Sequence, residues 1–244
     1  QFMEWVNADA DRRAEYGDIF DGIKNKWNLL DEIEKSFAYH REAGWNGGEA
    51  VSFSIRFMRL NKMIADKADK QAIKDAAAEM QPAIGAYFKD YSAPLDQDVT
   101  TALLNLFYKD IPADLLPSEI LEAGQDHQGD FSRYVEKAFR KSIFTDPKRL
   151  QGWIEKPKKL DKDPIFALAK NIVESYDMLL KRYFEAQELG NMGERLYMKG
   201  LMAMQSDRNF YPDANFTMRA SYGSIGGYQP RDAVWYNYFT TQRG

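Results

Sequence analysis

The chain has 244 residues, of which 44% are hydrophobic and 29% charged, so it is a globular sequence long enough for one large domain or two small ones. Its formal net charge of −4 argues against a nucleic-acid-binding protein, because such proteins carry an excess of lysine and arginine. It has no cysteine, which excludes disulfides, thiolate metal sites and a cysteine nucleophile, and no stretch approaches the roughly 18 consecutive apolar residues of a membrane-spanning helix.

The first predicted element is one long amphipathic helix over residues 7–43. Its apolar residues recur at steps of three, four or seven, the spacing of a single helical face: Tyr16, Phe20, Ile23, Trp27, Leu30 and Phe37. Asn7 or Asp9 is expected to cap the start of this helix, and Gly44 is expected to end it. The apolar pattern is already established before residue 7 and no signal peptide is visible, so the natural start of the protein is expected upstream of Gln1.

Shorter helices are predicted next, over residues 49–65, 69–91 and 96–108, with the second of them kinked or restarted at Pro82. Between residues 112 and 164 the chain is broken into short units. Each unit contains a capping residue or a proline that is typical of a helix start: Pro117-Ser118, Gly129-Asp130, Thr145-Asp146-Pro147 and Asp163-Pro164. The last long helix is expected to run from Pro164 to about Met204, with a pause near Gly190-Asn191.

The pattern changes near Asp207, where the chain becomes aromatic, β-branched and rich in glycine and proline. Residues 217–222 and 234–240 are predicted strands with a glycine-containing connection between them. Because two strands alone are marginally stable in water, we expect them to need a sheet from elsewhere. The sequence therefore predicts a mainly α fold with two parts: a multi-helix domain over residues 1–206, and a short two-stranded β segment over residues 207–244 that needs further strands from outside this chain.

Residues suited to catalysis are scarce. The two histidines, His40 near the end of a charged helix and His127 in a polar loop, are interpreted as surface residues. A metal site or a Ser-His-Asp relay would need a partner to place one of them. The segment 223–226, Gly-Ser-Ile-Gly, is interpreted as a turn, because no helix follows it as in a nucleophile elbow and no lysine follows it as in a phosphate loop. We therefore predict no catalytic residue, no metal and no cofactor in this chain.

Two loops leave alternatives open. Trp45, in a glycine-rich turn that ends at Gly48, contacts a ligand or closes the core at a helix corner, and the second interpretation is favoured. The lysines between Lys156 and Lys162 are interpreted as a solvated loop, with contact to an acidic partner as the alternative. The glycosylation sequon at residues 215–217 is a three-residue match that arises easily by chance.

The tail contains a long, ordered series of uncommon residues: residues 210–219 (Phe-Tyr-Pro-Asp-Ala-Asn-Phe-Thr-Met-Arg), Ser221-Tyr222-Gly223, Tyr228-x-Pro230-x-Asp232 and Tyr236-x-Tyr238-x-Thr240-Thr241-x-x-Gly244. This series resembles serine peptidase family 46, the bacterial dipeptidyl-peptidases of the 7 and 11 type. Weaker agreement extends to Lys141-Ser142-Ile143-Phe144, Asp163-Pro164 and Phe2-x-x-Trp5-Val6. The resemblance implies a structural role for eight signature residues: Tyr211, Pro212, Asp213, Ala214, Asn215, Arg219, Tyr222 and Gly223.

The resemblance also implies an architecture. Members of the family have a chymotrypsin-like double β-barrel with a His-Asp-Ser triad, and an inserted helical domain that caps the active-site cleft. They release dipeptides from the free amino end of peptides in the periplasm or at the cell surface. This chain would be most of the cap plus the returning strands, with the triad His and Asp before Gln1 and the nucleophilic Ser after Gly244. Its implied partners are the catalytic domain of the same polypeptide and the peptide substrate.

Two other functions remain open from the residues alone. The first is a stand-alone α-helical module that binds a peptide or a protein, and the second is a purely structural helical scaffold. The tail distinguishes a stand-alone module from the cap of a peptidase, because a stand-alone module has no reason to expose two aromatic strands. The resemblance leaves a homodimer open, and it does not identify the residues that the enzyme prefers at the cleavage point.

Overall fold

The computed structural model describes residues 1–211, 216, 218 and 220–242. Helices make up 71% of the structure and the described residues include one two-stranded antiparallel sheet, so the prediction of a mainly α fold with a short β segment is confirmed. The chain divides into two compact units, residues 1–204 and residues 205–244. In the described residues, no helix combines the length and the apolar character needed to cross a membrane.

The first unit is built of α-helices joined by short connections. In chain order these are α1 (Phe2–Asn7), α2 (Ala10–Tyr16), α3 (Ile19–Arg41), α4 (Glu49–Ile55), α5 (Met58–Ala65), α6 (Lys70–Ala78), α7 (Gln81–Asp90), α8 (Ala93–Asp110), α9 (Ser118–Asp126), α10 (Ser132–Lys141), α11 (Pro147–Glu155) and α12 (Pro164–Met204). A π-helical turn (Glu42–Asn46) follows α3, and 3₁₀ turns occupy Ala113–Leu115 and Ile143–Thr145.

The prediction of one helix over residues 7–43 is wrong, because this stretch contains α2, α3 and the end of α1. Asp9 separates the first two and caps α2, its carboxylate accepting the N–H of Arg12 at 2.9 Å. Phe20 and Trp27 are exposed, so part of the predicted apolar stripe does not face a core. Gly44 does not end the helix either, since the chain continues through the π-helical turn with Gly44 buried beside Ile172.

Helix starts that contain a proline or a capping aspartate are confirmed. Pro82 lies in the first turn of α7, and Pro147 and Pro164 open α11 and α12. Asp146 accepts a backbone N–H from the first turn of α11 at 2.9 Å, and Asp163 accepts two from the first turn of α12 at 3.1 Å each. These aspartates satisfy N–H groups that have no partner within the helix.

Replacement of Asp146 by alanine is expected to lower the free energy of unfolding by about 1 kcal/mol, because the start of α11 loses its cap. Urea unfolding of the chain measures this change. Asp146→Asn is the matched control: an asparagine oxygen caps equally well, so this variant should stay close to wild type. Equal losses in both variants would mean that capping is not the role of Asp146.

The predicted pause at Gly190-Asn191 is wrong, since α12 continues through these residues to Met204. Glycine is unfavourable inside a helix, but a side chain at this position has no room. A Cβ on Gly190 would overlap the side chain of Lys26 on α3. Packing against Lys26 therefore explains why a glycine, which in the sequence indicated a break, lies inside α12.

The helices bury two separate hydrophobic clusters. The larger one, called the main cluster, includes five fully buried aromatic side chains: Phe57, Phe107, Phe131, Phe144 and Phe166. The smaller one, called the distal cluster, contains the buried residues Phe2, Val6, Tyr16 and Ile19, with Tyr197 and Leu201 of α12 packed against them. The antiparallel helices α3 and α12 contribute residues to both clusters.

The second unit contains a hairpin of β1 (Tyr228–Arg231) and β2 (Val234–Tyr236), in which Tyr228 faces Tyr236. Ala233 in the connecting turn has a φ of 59°, in the left-handed region that tight turns use. The predicted strand over residues 234–240 is thus shorter than expected. The predicted strand over residues 217–222 is wrong for its described residues, none of which lies in a strand, while Thr217 and Arg219 lie outside the described residues.

Candidate functional site

His40 is fully buried, so its interpretation as a surface residue is wrong. Its Nδ1–H donates to the carbonyl of Ser36 at 2.8 Å, and its Nε2 accepts the hydroxyl of Ser175 on α12 at 3.0 Å. The ring of Phe107 lies against it, with centroids 4.9 Å apart. Burial lowers the pKa of His40 from 6.5 to about 4, so at neutral pH the imidazole is uncharged.

The Ser175–His40 pair has the spacing of a nucleophile and a base, yet it cannot act as one. A Ser-His-Asp relay requires a carboxylate on Nδ1, and here that nitrogen bonds to the carbonyl of Ser36. Both side chains are enclosed in the protein, His40 fully and Ser175 almost so, which leaves no route for a peptide to the hydroxyl. The pair joins α3 to α12 and is structural. The pair leaves no local signal in the sequence, because the two residues are 135 positions apart.

His127, the second histidine, is half-buried in the connection after α9, where its ring lies 6.4 Å from that of Tyr134. Over the ranges that the structure describes, no three histidine, aspartate or glutamate side chains come together as metal ligands. The arrangement of the described helical residues therefore offers neither a serine–histidine pair that solvent can reach nor a metal centre.

Asp96 is the second buried polar centre, and the sequence analysis did not identify it. Its carboxylate accepts the backbone N–H groups of Glu49 at 2.7 Å and Ala50 at 2.9 Å, and the hydroxyl of Tyr91 at 3.1 Å. It therefore caps α4 from α8, across the fold. Burial raises the pKa of Asp96, while the hydrogen bonds that it accepts act in the opposite direction. The role of Asp96 is to hold two helices together.

Trp45 closes a corner of the main cluster. It is half-buried and meets the ring of Tyr176 edge-on at 5.2 Å between centroids. Gly47, two residues further on, packs closely against α8, since a Cβ at this position would overlap the side chain of Leu103. This packing supports the helix-corner interpretation rather than a ligand contact.

The lysine loop after α11 is anchored at two points. The side-chain N–H of Trp153 donates to the carbonyl of Lys158 at 2.9 Å, and the N–H of Leu160 donates to Asn61 at 2.7 Å. Leu160 is buried while the lysines point outwards, as expected of a solvated loop: Lys156, Lys158, Lys159 and Lys162 are all exposed.

The second unit exposes ten large hydrophobic side chains among its described residues. Its large exposed side chains are Tyr211, Phe216, Met218, Tyr222, Ile225, Tyr228, Trp235, Tyr236, Tyr238 and Phe239. The strands β1 and β2 pair only with each other within the described residues, so each presents an unpaired edge. An aromatic surface next to free strand edges is typical of a region that packs on another sheet.

Among the signature residues, Tyr211 and Tyr222 are exposed, and Gly223 has open space around its Cα. The other five lie outside the described residues: Pro212, Asp213, Ala214, Asn215 and Arg219. The structure thus brings none of the described signature residues into a catalytic arrangement.

Comparison with known proteins finds similar dipeptidyl-peptidases. Dipeptidyl-peptidase 7 of Porphyromonas gingivalis is 30% identical over 255 residues, which cover 100% of this chain and 34% of that protein. The Asp/Glu-specific dipeptidyl-peptidase of the same organism is 32% identical over 213 residues, covering 84% of this chain and 30% of that protein. The crystal structure of Porphyromonas endodontalis DPP11 matches with a TM-score of 0.66 and 27% identity, covering 97% of this chain and 34% of that one.

The chain therefore spans about a third of the length of the relatives that it matches. The family model described as Peptidase S46 matches residues 1–244. The resemblance inferred from the tail is confirmed over the full length of the chain, which belongs to peptidase family S46.

Proposed function

We propose that this chain is the helical cap of a serine dipeptidyl-peptidase, joined to the start of the strands that return to the catalytic domain. Residues 1–206 form the cap and residues 207–244 form the returning segment, in which the signature residues have a structural role. The main supporting observation is that the Peptidase S46 family model matches the chain over its full length, while the serine–histidine pair that joins α3 to α12 in the described residues, Ser175 with His40, is enclosed in the protein. The chemistry is then supplied by another part of the same polypeptide.

The function of such a cap is to restrict access to the cleft. A cap over the cleft leaves room for only a short amino-terminal segment of the peptide, so cleavage releases dipeptides. Positioning of this kind needs a rigid body and no proton transfer by the cap itself. The buried polar centres at His40 and Asp96 fit this role, because both join helices and neither faces solvent. The parent enzyme would act on peptides with a free amino end in the periplasm or at the cell surface.

The 244-residue chain is expected to show no peptidase activity, whereas the parent polypeptide is active. Both are assayed with dipeptidyl reporter substrates and with a phosphonate that reacts with activated serines. The parent should turn over substrate and be labelled on one serine, and the chain should do neither. Stoichiometric labelling of a serine in the chain, together with turnover, would overturn the proposal.

The alternative function, a stand-alone binding module, makes a different prediction for the hairpin. In the cap, β1 and β2 depend on strands supplied by the catalytic domain, so their backbone amides should exchange with solvent faster in the chain than in the parent. Hydrogen exchange at residues 228–231 and 234–236 measures this difference, with the amides of α12 residues 165–179 as the internal reference. Equal protection of the hairpin in both proteins would favour the stand-alone module.

A further inference from the structure

The two hydrophobic clusters are separated along the pair of helices that they share. On α3, Ile23 belongs to the distal cluster and Phe37 to the main cluster, and on α12 Leu179 belongs to the main cluster and Leu196 to the distal one. We call the intervening part, residues 24–36 of α3 with residues 180–195 of α12, the stalk, which is about 20 Å long. Its buried apolar side chains belong to neither cluster: Leu30, Ile33 and Ala186.

A lysine lies buried in this stalk. Lys26 is only 7% exposed, and its Nζ donates to Oε1 of Glu194 on α12 at 2.9 Å. Lysine is almost never buried without a partner, because the desolvated charge is costly. The Glu194 carboxylate, itself half exposed, is that partner.

A notch in α12 receives the lysine. The aliphatic part of Lys26 crosses α12 over Gly190, where a Cβ would overlap it. Gly193, one turn further along, lies against Ile23, whose Cγ1 would be 3.1 Å from a Cβ at that position. Glycine is among the least favourable residues in a helix interior. Its presence at position 190 is explained by the Lys26 side chain, which occupies the space that a Cβ would need.

We propose that Lys26, Gly190 and Glu194 form a register lock, which sets the axial position of α3 against α12 and thereby the position of the distal cluster relative to the main cluster. The apolar residues of the stalk tolerate sliding, because one aliphatic contact replaces another. The lysine does not: a slide of four residues along α12 moves its amine from Glu194 to Gly190 or Met198, neither of which has a carboxylate to pair with its charge. The slid registers therefore contain a buried, unpaired charge.

The lock is tested by distance measurement in the chain itself, so its outcome does not depend on the proposed function. The chain has no cysteine, which allows spin labels to be placed at two introduced cysteines. Asp21→Cys on α3 and Lys181→Cys on α12 are suitable because both positions are exposed and lie towards opposite ends of the stalk. The distance distribution between the labels is measured by double electron–electron resonance.

We expect one narrow distance in the otherwise wild-type chain. Lys26→Met keeps the aliphatic stem without the amine, and Glu194→Gln removes the charge of the partner. Each should add a population displaced by about 5 Å, one helical turn. The exposed neighbours Lys24 and Glu188 provide the controls Lys24→Met and Glu188→Gln, which should keep the single distance. The charge-swapped double variant, Lys26→Glu with Glu194→Lys, should restore it.

Two results would overturn the register lock. One is a distance distribution for Lys26→Met that matches that of Lys24→Met. The other is loss of helix content in the Lys26 and Glu194 variants, measured by circular dichroism, because a contact that sets only the register leaves both helices intact.

Discussion

Replacement of Asp96 by alanine is expected to lower the free energy of unfolding of the chain by roughly 3–5 kcal/mol. Three donors lose their acceptor at once: the backbone N–H groups of Glu49 and Ala50, and the hydroxyl of Tyr91. The Ala50 N–H is buried, and a buried donor left without a partner costs roughly 1–3 kcal/mol, to which the partly buried donors of Glu49 and Tyr91 add. The two backbone groups also belong to the first turn of α4, which has no side-chain cap of its own.

Urea unfolding followed by circular dichroism measures this loss. Asp98→Ala is the matched control, since Asp98 lies on the same helix and is exposed, and its removal should change the free energy of unfolding by less than about 0.5 kcal/mol. Asp96→Asn should fall between the two, because its amide oxygen accepts one N–H while its NH₂ group faces another donor. A loss below about 1 kcal/mol in Asp96→Ala would show that α4 does not depend on this carboxylate.

Helix starts were predictable from the sequence because they depend on neighbouring residues. A proline cannot donate a hydrogen bond and an aspartate before it can accept one, so Asp146 and Asp163 mark the starts of α11 and α12 in any context. The family was also predictable, because the tail residues form a long series that does not depend on how they fold. Both inferences use information that is contiguous in the chain.

The errors arise where tertiary contacts decide the outcome. The helical period continues from α2 into α3 although the helix itself breaks, so the break at Gly17-Asp18 was not visible in the apolar pattern. Gly190 resembled a helix stop because the side chain that fills its space, Lys26, is remote in sequence. Asp96 resembled an ordinary first-turn carboxylate, since the N–H groups that it accepts are 46 and 47 residues away.

His40 is the clearest case of information that the sequence does not contain. Arg41 and Glu42, which follow it, are charged and suggest a solvent-facing helix end. Its burial depends instead on the face that α3 turns inwards, where Ile33, Ser36 and His40 follow each other at helical spacing. The polar partner that makes this burial acceptable, Ser175, comes from α12.

The chain is expected to lose stability as the pH falls from about 6.5 to about 4, and His40 should account for about 3 kcal/mol of this loss. In the unfolded chain His40 has its ordinary pKa of 6.5, whereas burial lowers the folded value to about 4. The unfolded state therefore binds a proton over this interval and the folded state does not. The stabilisation is fully present above pH 6.5, decreases through the interval, and changes little further below pH 4.

Urea unfolding at pH values between 7 and 4 measures this dependence as a difference between wild type and a His40 variant. The contributions of carboxylates to the free energy of unfolding are the same in both proteins and cancel in the difference. His40→Gln cannot take up a proton and keeps an amide that can donate to Ser36 and accept from Ser175. Its free energy of unfolding should fall by about 3 kcal/mol less than that of wild type over the interval. His127→Gln, which removes the half-buried histidine, is measured alongside it as the control for loss of a histidine elsewhere in the fold. Parallel curves for wild type and His40→Gln would mean that the folded protein protonates His40 as readily as the unfolded chain, and that its enclosure between α3 and α12 does not exclude the charge.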